Sequence, residues 1–367
     1  MRRDRKARGM SWFGDIRKQL RFRRKQRAAA RRPLMAETPY FVCNIELTNN
    51  CPMKCVMCPR TKHMSRDIGY MGLDVFRKII DEMVVDNPQH LAGKLVALHH
   101  FGESLMHREV DQFIAYAESK GVSTVLSVNP ITFTDRVIDQ LLDSAPSQLF
   151  ISLDGHDDKS FFAIRGVEDA WERSREKLFK YLELKRERGV KTRIVVNMID
   201  FKLNKNSIDQ LKDYWEKVPG VDEFCAKSFG TWIGDAQEIN EFKDGQLNVL
   251  KQKDTRKSYV SCNRPWETLT VTWDGDVVPC CYDYDKKEPL GNVRDQTLMA
   301  IWNGEPMRRL RLRSGPIAVP PNSSVRCAQV VLSRSAGPTT ATRSRGSSPA
   351  KRNLRTSASR GPRPVRA

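Results

Sequence analysis

The chain has 367 residues, of which 40% are hydrophobic, and a formal charge of +19, a composition that excludes a wholly disordered chain and allows one large domain with a smaller one. The charge lies at the two ends, because residues 1–33 hold 14 basic and 2 acidic side chains and residues 316–367 hold 10 basic and none acidic. Residues 34–315 therefore carry a charge of −3, and the basic ends say little about what the folded part binds.

No apolar run reaches the roughly 18 residues that a membrane span needs. The arginine pairs near the N-terminus are not followed by the apolar segment of a secretory signal. We therefore expect a cytoplasmic protein without a transmembrane segment. In that reducing compartment the nine cysteines, three of them within residues 51–58, are expected to be metal ligands or free thiols and not disulfides.

The first predicted element is a short basic helix within an N-terminal arm, residues 1–33. Trp12, Ile16 and Leu20 recur every four residues among Arg and Lys, which predicts an amphipathic helix. Three interpretations stay open: a solvated arm, a contact with a membrane surface or an acidic partner, and nucleic-acid binding. A nucleic-acid-binding protein that acts through its basic ends is therefore kept as an alternative, although the −3 charge of residues 34–315 disfavours it.

Residues 34–250 alternate β-rich runs with helical periods. The predicted strands are residues 40–47, 95–100, 124–128, 149–153, 192–198 and 223–228, and the predicted helices are residues 73–84, 108–119, 135–143, 170–188 and 207–217. This alternation predicts six βα-type units with parallel strands and crossover helices. The expected fold class is α/β, a partial (β/α)6 TIM-like barrel, in which ligands bind at the C-terminal ends of the strands.

The loop after the first predicted strand carries Cys51, Cys55 and Cys58 in a CxxxCxxC spacing. Three thiolates within eight residues can surround one metal centre, yet they supply one ligand fewer than a closed tetrahedral zinc or four-iron site uses. An open coordination position follows from this count. A structural zinc completed by Cys43 or His63 is the alternative.

Later strand ends carry further motifs in a fixed order. Residues 101–107 read Phe-Gly-Glu-Ser-Leu-Met-His, residues 127–130 read Ser-Val-Asn-Pro, and residues 152–155 read Ser-Leu-Asp-Gly, followed by Arg165 and Gly166. Together with the cysteine loop, these motifs resemble those of the radical S-adenosylmethionine (SAM) superfamily, over about residues 38–312. Phe101 and Ser104 depart from the Gly and Pro usual in its GGEP motif, whereas the Gly-Glu pair is intact.

The resemblance implies that Cys51, Cys55 and Cys58 hold a [4Fe-4S] cluster whose remaining iron binds the amino and carboxylate groups of SAM. Reductive cleavage of SAM would then give a 5′-deoxyadenosyl radical, with an electron supplied by a partner such as flavodoxin or ferredoxin. The cofactor-binding residues that the resemblance implies are Met57, Gly102, Glu103, Asn129, Ser152 and Arg165.

Three of the candidate residues have simpler interpretations. Asn129 is alternatively a turn residue, and Arg165 is alternatively a charge on a helix surface. No catalytic residue is assigned. Cys225, on the last predicted strand, is a candidate hydrogen-atom donor or a plain buried cysteine.

Residues 258–315 hold a second cysteine set. Cys262, Gly275 and Cys280 fit a C-x12-G-x4-C spacing, and an Asp-Gly turn predicts a hairpin between residues 269–272 and 277–278. This region resembles the SPASM or shorter twitch extension that binds auxiliary iron–sulfur clusters. The extension is expected to be incomplete, because only Cys327 follows the Ile-Trp helix of residues 301–302. Its expected metal ligands are Cys262, Cys280 and Cys327, whereas Cys281 and Cys43 are expected to be packing residues.

Residues 316–367 contain no Asp, Glu, Phe, Tyr or Trp and are rich in Arg, Ser and Pro. This composition predicts a disordered tail. The change after Gly315 is abrupt, and it motivates the hypothesis that the reading frame was lost near that point. Resequencing of the locus tests this hypothesis, which an in-frame tail without a nearby cysteine-encoding frame would refute.

The motifs do not select a substrate, and two enzyme functions stay open. The first is oxidation or epimerisation of a carbinol carbon in a sugar or aminocyclitol, favoured because the first 33 residues lack a winged-helix pattern for peptide recognition. The second is modification of a peptide or protein by a SPASM-type maturase. A basic arm and tail could then dock an acidic leader.

Overall fold

The computed structural model of the protein describes residues 33–228 and 263–314. Six parallel strands pair in the order β6-β5-β4-β3-β2-β1. They are β1 (Val42–Ile45), β2 (Val96–Ala97), β3 (Thr124–Val128), β4 (Gln148–Ser152), β5 (Arg193–Asp200) and β6 (Glu223–Ser228). The predicted series of parallel βα units is therefore confirmed.

Eight α-helices lie between β1 and β6, and two further α-helices lie near the C-terminal end of the described residues. They are α1 (Pro59–Lys62), α2 (Leu73–Asp86), α3 (Pro88–Leu91), α4 (Val110–Ser119), α5 (Asp135–Ser144), α6 (Asp158–Arg165), α7 (Trp171–Glu187), α8 (Ile208–Trp215), α9 (Leu298–Trp302) and α10 (Glu305–Ser314). In α5 the hydroxyl of Thr134 accepts a hydrogen bond from the Val137 N–H, and Ile138 and Leu141 are buried one turn apart. The helix is thus specified by its N-cap and by its apolar face.

Helix α6 is not among the five helices predicted in the βα series. It begins with a capping box between Asp157 and Ser160 and ends at Gly166, which has φ of +68°. Eight residues give too few turns for a clear hydrophobic period, although the Asp-x-x-Ser start and the glycine at the end are recognisable end signals. Arg165 is therefore the last residue of a helix.

Strand β2 is shorter than the predicted residues 95–100. The Leu98 N–H still donates to Val125 O at 2.9 Å, but the next ladder donor on β3, the Ser127 N–H, donates to Nδ1 of the His99 ring at 3.1 Å. A side chain thus replaces the backbone as the partner of Ser127, and regular pairing ends at Ala97.

The strands alternate between two faces. On β4, Leu149 and Ile151 are fully buried in the hydrophobic core, whereas Phe150 and Ser152 are half-buried and lie on the opposite face. We call this opposite face the inner face. Strand pairing in register places Ser127 beside Phe150, and places Ser152, Asn197 and Cys225 side by side, on this face.

The predicted hairpin is confirmed. It consists of β7 (Leu269–Val271) and β8 (Asp276–Val278), followed by β9 (Gly291–Asn292). Its turn contains Gly275, whose φ of +91° favours glycine. Strand β7 pairs in parallel with β1, so the hairpin extends the six-stranded sheet to nine strands, an arrangement that was not predicted.

Several predicted features lie outside the described residues. They are the basic helix around residues 12–20, the tail of residues 316–367, Cys262 and Cys327. Within the described ranges, no helix is both long and apolar enough to cross a lipid bilayer.

Candidate active site

The cysteine loop between β1 and α1 rests on the end of α6. The Lys54 N–H donates to Arg165 O at 2.9 Å, and the Val56 N–H donates to Ile164 O at 3.0 Å. A Cβ at Gly166 would lie 2.9 Å from the Lys54 Cβ and 3.0 Å from its carbonyl oxygen. Glycine is therefore required here for close packing as well as for its left-handed backbone, and the Arg-Gly element supports the cysteine loop.

The three thiols of the loop lie in an apolar environment. Cys51, Cys55 and Cys58 cluster with Met53 and Met57, together with side chains from α6 and from the end of β5. Burial raises the pKa of Cys51 to about 12 and that of Cys58 to about 11, and nearby Glu103 and Cys55, respectively, add to these shifts. Without a bound cation the Cys51 and Cys58 thiols are therefore protonated at neutral pH, and metal binding must displace their protons.

The donor set of the loop fits an iron–sulfur cluster better than a single zinc ion. A zinc ion needs about four ligands around one point, and no three His, Cys, Asp or Glu side chains in residues 33–228 and 263–314 are arranged to hold one metal ion, so geometry does not support zinc with Cys43 or His63. In an iron–sulfur cluster each thiolate binds its own iron, so its ligands need not converge on one point. Three neighbouring thiols on one loop satisfy that requirement.

Glu103 is buried beside the cysteine loop. Its N–H donates to Asn50 O at 2.8 Å, while its carboxylate accepts from the Asn129 N–H at 3.0 Å and the Leu105 N–H at 3.3 Å. The preceding residue, Gly102, has φ of +106°, and a Cβ there would lie 2.3 Å from a backbone oxygen. Burial raises the pKa of Glu103 to about 7, against the opposing effect of its two N–H donors. Such a carboxylate can accept hydrogen bonds from the ammonium group of a ligand.

Asn129, which follows β3, lies next to Glu103, and it also contacts Ser152 at the end of β4. Both polar atoms of the Asn129 side chain have partners, because its Nδ2 donates to Ser152 O at 2.8 Å and its Oδ1 accepts from the Ile131 N–H at 3.0 Å. These bonds support the interpretation of Asn129 as a turn residue, which reaches the site through its backbone donor to Glu103. The Ser152 hydroxyl lies 3.2 Å from that of Ser127 on the inner face.

The Arg165 side chain is only 12% exposed and does not extend from the helix surface into solvent. Its guanidinium forms an ion pair with Asp154, and its Nη1 donates to Cys55 Sγ at 3.4 Å. Asp154 also accepts a hydrogen bond from the Ile199 N–H, so it links α6 to β5. The charge of Arg165 is thus already balanced by a carboxylate, and the arginine contacts a cysteine of the loop directly.

Sequence reasoning missed a buried network beside the cysteine loop. Glu46, which follows β1, is bound by Arg66, which follows α1, and His100 Nδ1 lies 3.6 Å from the same carboxylate. The Trp273 N–H of the hairpin turn also donates to Glu46, at 3.3 Å. The only sequence signal was a charged residue, Glu46, within the apolar run of residues 40–47, and the sequence did not identify its partner.

The second cysteine set is only partly described. Cys280 follows β8 and is 1% exposed, and burial raises its pKa to about 11. Burial likewise raises the pKa of Cys281 to about 12, with smaller effects of Cys280 and Cys43. Cys43 is buried on β1 and its Sγ lies 3.3 Å from Leu269 O, so it faces the hairpin, a proximity that the sequence did not reveal. The other expected ligands lie outside the described residues.

Family models match two parts of the chain. The model of the Radical SAM superfamily matches residues 45–214, which hold the cysteine loop, Glu103 and Arg165, and the model of SPASM, an iron–sulfur cluster-binding domain, matches residues 262–328. The chain belongs to the radical SAM superfamily. It is a radical SAM enzyme with a C-terminal SPASM region, and its cofactors are a [4Fe-4S] cluster and SAM.

Curated relatives of this enzyme carry out different reactions. The chain is 22% identical over 305 residues to a Pyrococcus furiosus cofactor-modifying protein of tungsten-containing aldehyde ferredoxin oxidoreductase, covering 71% of this chain and 80% of that protein. It is 32% identical over 130 residues to an AdoMet-dependent heme synthase of Nitratidesulfovibrio vulgaris, covering 35% of this chain and 34% of the synthase. It is 19% identical to the S-adenosyl-L-methionine-dependent 2-deoxy-scyllo-inosamine dehydrogenase of Niallia circulans, covering 74% and 86%.

Solved structures of radical SAM proteins share the fold. Streptococcus suis SuiB bound to S-adenosylmethionine matches with a TM-score of 0.54 and 16% identity, covering 74% of this chain and 68% of SuiB. The structure of anSMEcpe with bound AdoMet matches with a TM-score of 0.52 and 14% identity, covering 75% and 84%. The predicted partial TIM-like barrel is thereby confirmed.

Proposed function

We propose that the enzyme abstracts a hydrogen atom from a carbinol carbon of a sugar-type or aminocyclitol-type small molecule, which it oxidises or epimerises. When bound, the cluster and SAM supply the 5′-deoxyadenosyl radical that removes this atom. Cys51, Cys55 and Cys58 would hold the cluster. The electron would come from a reducing partner such as flavodoxin or ferredoxin.

The main support for a polar substrate is the buried side chain of Asn197. It is 5% exposed, and neither its Nδ2 nor its Oδ1 has a hydrogen-bond partner within the described structure. A buried amide without partners is costly, so a ligand group that binds it would be stabilised. Asn197 lies in register with Ser152, whose hydroxyl is beside that of Ser127, so the inner face offers several groups to a substrate rich in hydroxyls.

The residues around the loop would divide the work of holding SAM. Glu103 would accept hydrogen bonds from the ammonium group of the SAM methionine moiety, because its carboxylate is buried and already fixed by two N–H donors. Met57 lies in the apolar cluster of the cysteine loop, next to the thiols, where it would pack against the cofactor. Arg165 would act mainly through Cys55 and Asp154, and it would hold the loop in place.

Cys225 separates the two outcomes of the proposed reaction. It lies beside Asn197 on the inner face and is half-buried, which supports a role in which its thiol would return a hydrogen atom to a substrate radical. Epimerisation needs such a donor, whereas oxidation does not. Loss of Cys225 should therefore abolish epimerised product and leave hydrogen abstraction intact.

A peptide-modifying activity is the second candidate. It is supported by similarity to the Bacillus subtilis antilisterial bacteriocin subtilosin biosynthesis protein AlbA, which is 22% identical over 74% of this chain and 61% of AlbA. A peptide substrate would require an extended binding surface beyond the inner face.

The test starts from anaerobically reconstituted full-length chain with SAM and dithionite. The wild type should form 5′-deoxyadenosine, and a variant with Cys51→Ala, Cys55→Ala and Cys58→Ala should not. A panel of sugars and cyclitols deuterated at their carbinol carbons should then transfer deuterium into 5′-deoxyadenosine. Transfer from deuterated peptides alone would overturn the small-molecule proposal, and a wild type that makes no 5′-deoxyadenosine would refute radical chemistry altogether.

A further inference from the structure

We propose that Lys227 and Asn197 form a subsite for an anionic group of the substrate, a carboxylate or a phosphate. This inference rests on the proposed function, since it assigns a chemical class to the molecule bound at the inner face. It also narrows the class of substrate, because the group bound beside Lys227 is expected to be an anion and not an amine.

The side chain of Lys227 crosses the inner face of the sheet. Lys227 lies on β6, two residues after Cys225 and therefore on the same face. Its Nζ lies 4.6 Å from the centroid of the Phe150 ring, which belongs to β4. Because β5 lies between β4 and β6, the lysine side chain passes over the strand that carries Asn197.

The ammonium group has no carboxylate of its own. Within residues 33–228 and 263–314, no Asp or Glu forms an ion pair with Lys227 Nζ, and its recorded neighbour is the Phe150 ring. Asp154 is close enough to affect Lys227 electrostatically, but its carboxylate is already bound by Arg165 and by a backbone N–H. Within the described part of the chain, a positive charge thus remains uncompensated on this face.

The nearby histidine does not add a second charge. Burial lowers the pKa of His99 to about 4, and the ammonium of Lys227 adds to this shift. His99 is therefore neutral at physiological pH, and its Nδ1 accepts the Ser127 N–H. Among the described residues, Lys227 is left as the cation on this face that a ligand would meet, while desolvation lowers its own pKa as well.

Asn197 supplies the directional part of the subsite. Its unpartnered Nδ2 can donate to the same anion that Lys227 binds, and such a bond to a charged acceptor is stronger than one between neutral groups. A carboxylate or phosphate would thus satisfy both the buried amide and the unpaired ammonium. A neutral hydroxyl satisfies only the amide, and an amino group would be repelled by Lys227.

The experiment measures protection of the Lys227 amine in the full chain reconstituted anaerobically with SAM. Acetylation of single lysines is followed by peptide mass spectrometry in the presence of glucuronate, glucose 6-phosphate or glucose. Lys180, which is exposed and pairs with Asp135 on the helical surface, is the internal control. Glucuronate or glucose 6-phosphate should slow modification of Lys227 by on the order of tenfold relative to glucose, and should leave Lys180 unchanged.

The two anions distinguish the source of the charge. Protection by glucuronate alone identifies a carboxylate, and protection by glucose 6-phosphate alone identifies a phosphate. Equal protection by glucose, or none by either anion, overturns the subsite. Calorimetry gives a second measurement: Lys227→Met should lose the preference for the protecting anion over glucose, whereas Lys180→Met should keep it, and an unchanged preference in Lys227→Met also overturns the subsite.

Formation of 5′-deoxyadenosine in the same wild-type sample separates the two proposals. Normal formation without an anion effect refutes the subsite and leaves the proposed function standing. An anion effect in a protein that makes no 5′-deoxyadenosine refutes the proposed function and supports the subsite.

Discussion

The guanidinium of Arg66 binds both carboxylate oxygens of Glu46, with distances of 2.8 Å from Nη1 to Oε2 and 2.7 Å from Nη2 to Oε1. The two side chains are 4% and 0% exposed. Arg66 Nε also donates to Tyr284 O, and the Trp273 N–H donates to Glu46. This ion pair therefore fastens the segment after the cysteine loop, and the hairpin region, to the end of β1.

The Arg66→Ala variant should lose about 3–5 kcal/mol of unfolding free energy, because it leaves the Glu46 carboxylate buried and unpaired. Urea denaturation measures this loss. Arg188→Ala is the matched control, since Arg188 pairs with Asp139 and Asp143 at the exposed surface, where such pairs contribute less than about 1 kcal/mol. Equal losses in the two variants would contradict a buried pair at Glu46.

The pKa of Glu103 makes stability depend on pH. Its folded-state pKa of about 7 lies above the unfolded value of 4.5, so the folded chain holds this proton more tightly. The unfolding free energy should therefore fall as pH rises from 4.5 to 7, by about 3 kcal/mol in total, and Glu103→Gln should remove that fall. Urea denaturation of SAM-free protein at pH 5 and pH 8 measures the difference.

The same substitution should weaken SAM binding, because an amide cannot offer a full negative charge to an ammonium group. Glu216→Gln, at an exposed position on the protein surface, is the control for both measurements. A Glu103→Gln variant that keeps the wild-type pH profile would show that this carboxyl does not carry a raised pKa.

Gly102→Ala should be far more damaging than Gly121→Ala. Both glycines have positive φ, +106° and +76°, but a Cβ at Gly102 would lie 2.3 Å from Thr48 O, whereas a Cβ at Gly121 meets nothing within 4 Å. Backbone strain alone should cost about 1 kcal/mol at Gly121, and the clash should raise the cost at Gly102 to several kcal/mol. Thermal unfolding compares the two, and similar midpoints would rule out close packing at Gly102.

Cys55→Ala should abolish SAM cleavage, because the two remaining thiolates of the loop cannot hold the cluster. The visible absorbance of the reconstituted cluster and the yield of 5′-deoxyadenosine under dithionite are the two measurements. Cys43→Ala is the control: this cysteine is also buried, but it lies on β1 and faces the hairpin. Wild-type turnover by Cys55→Ala would refute the assignment of the loop.

Cys280→Ala tests the auxiliary site. If a second cluster forms, the wild type should bind about eight iron atoms and the variant about four, with the loop cluster retained. If the site is incomplete, wild type and variant should both bind about four, and that result would remove Cys280 from the metal ligands. Iron and sulfide analysis after anaerobic reconstitution decides between these outcomes.

Much of the site was predictable because it is local in sequence. The thiols of Cys51, Cys55 and Cys58 lie within eight residues, and the Gly-Glu pair at residues 102–103 lies in the loop after a predicted strand. Spacing alone therefore brings them to one end of a parallel sheet. The hairpin at Gly275 was predictable for the same reason, since an Asp-Gly turn specifies its own geometry.

The partners of buried polar groups were not predictable. Arg165 could have bound a cofactor, but it pairs with Asp154, 11 positions away in the sequence. Asn129 could have donated to a ligand, but it donates to Ser152, 23 positions away. The sequence does not show which of these contacts forms. The sequence determined the parallel βα units, the cysteine loop and the hairpin, because each follows from short-range periodicity or spacing. Only the tertiary structure decided that β7 joins β1, that Arg66 neutralises Glu46 and that Lys227 reaches over the strand of Asn197 to the Phe150 ring. Those outcomes depend on which distant strands and side chains share one buried space, since electrostatic and hydrogen-bonding needs are satisfied through space and leave no periodic pattern along the chain.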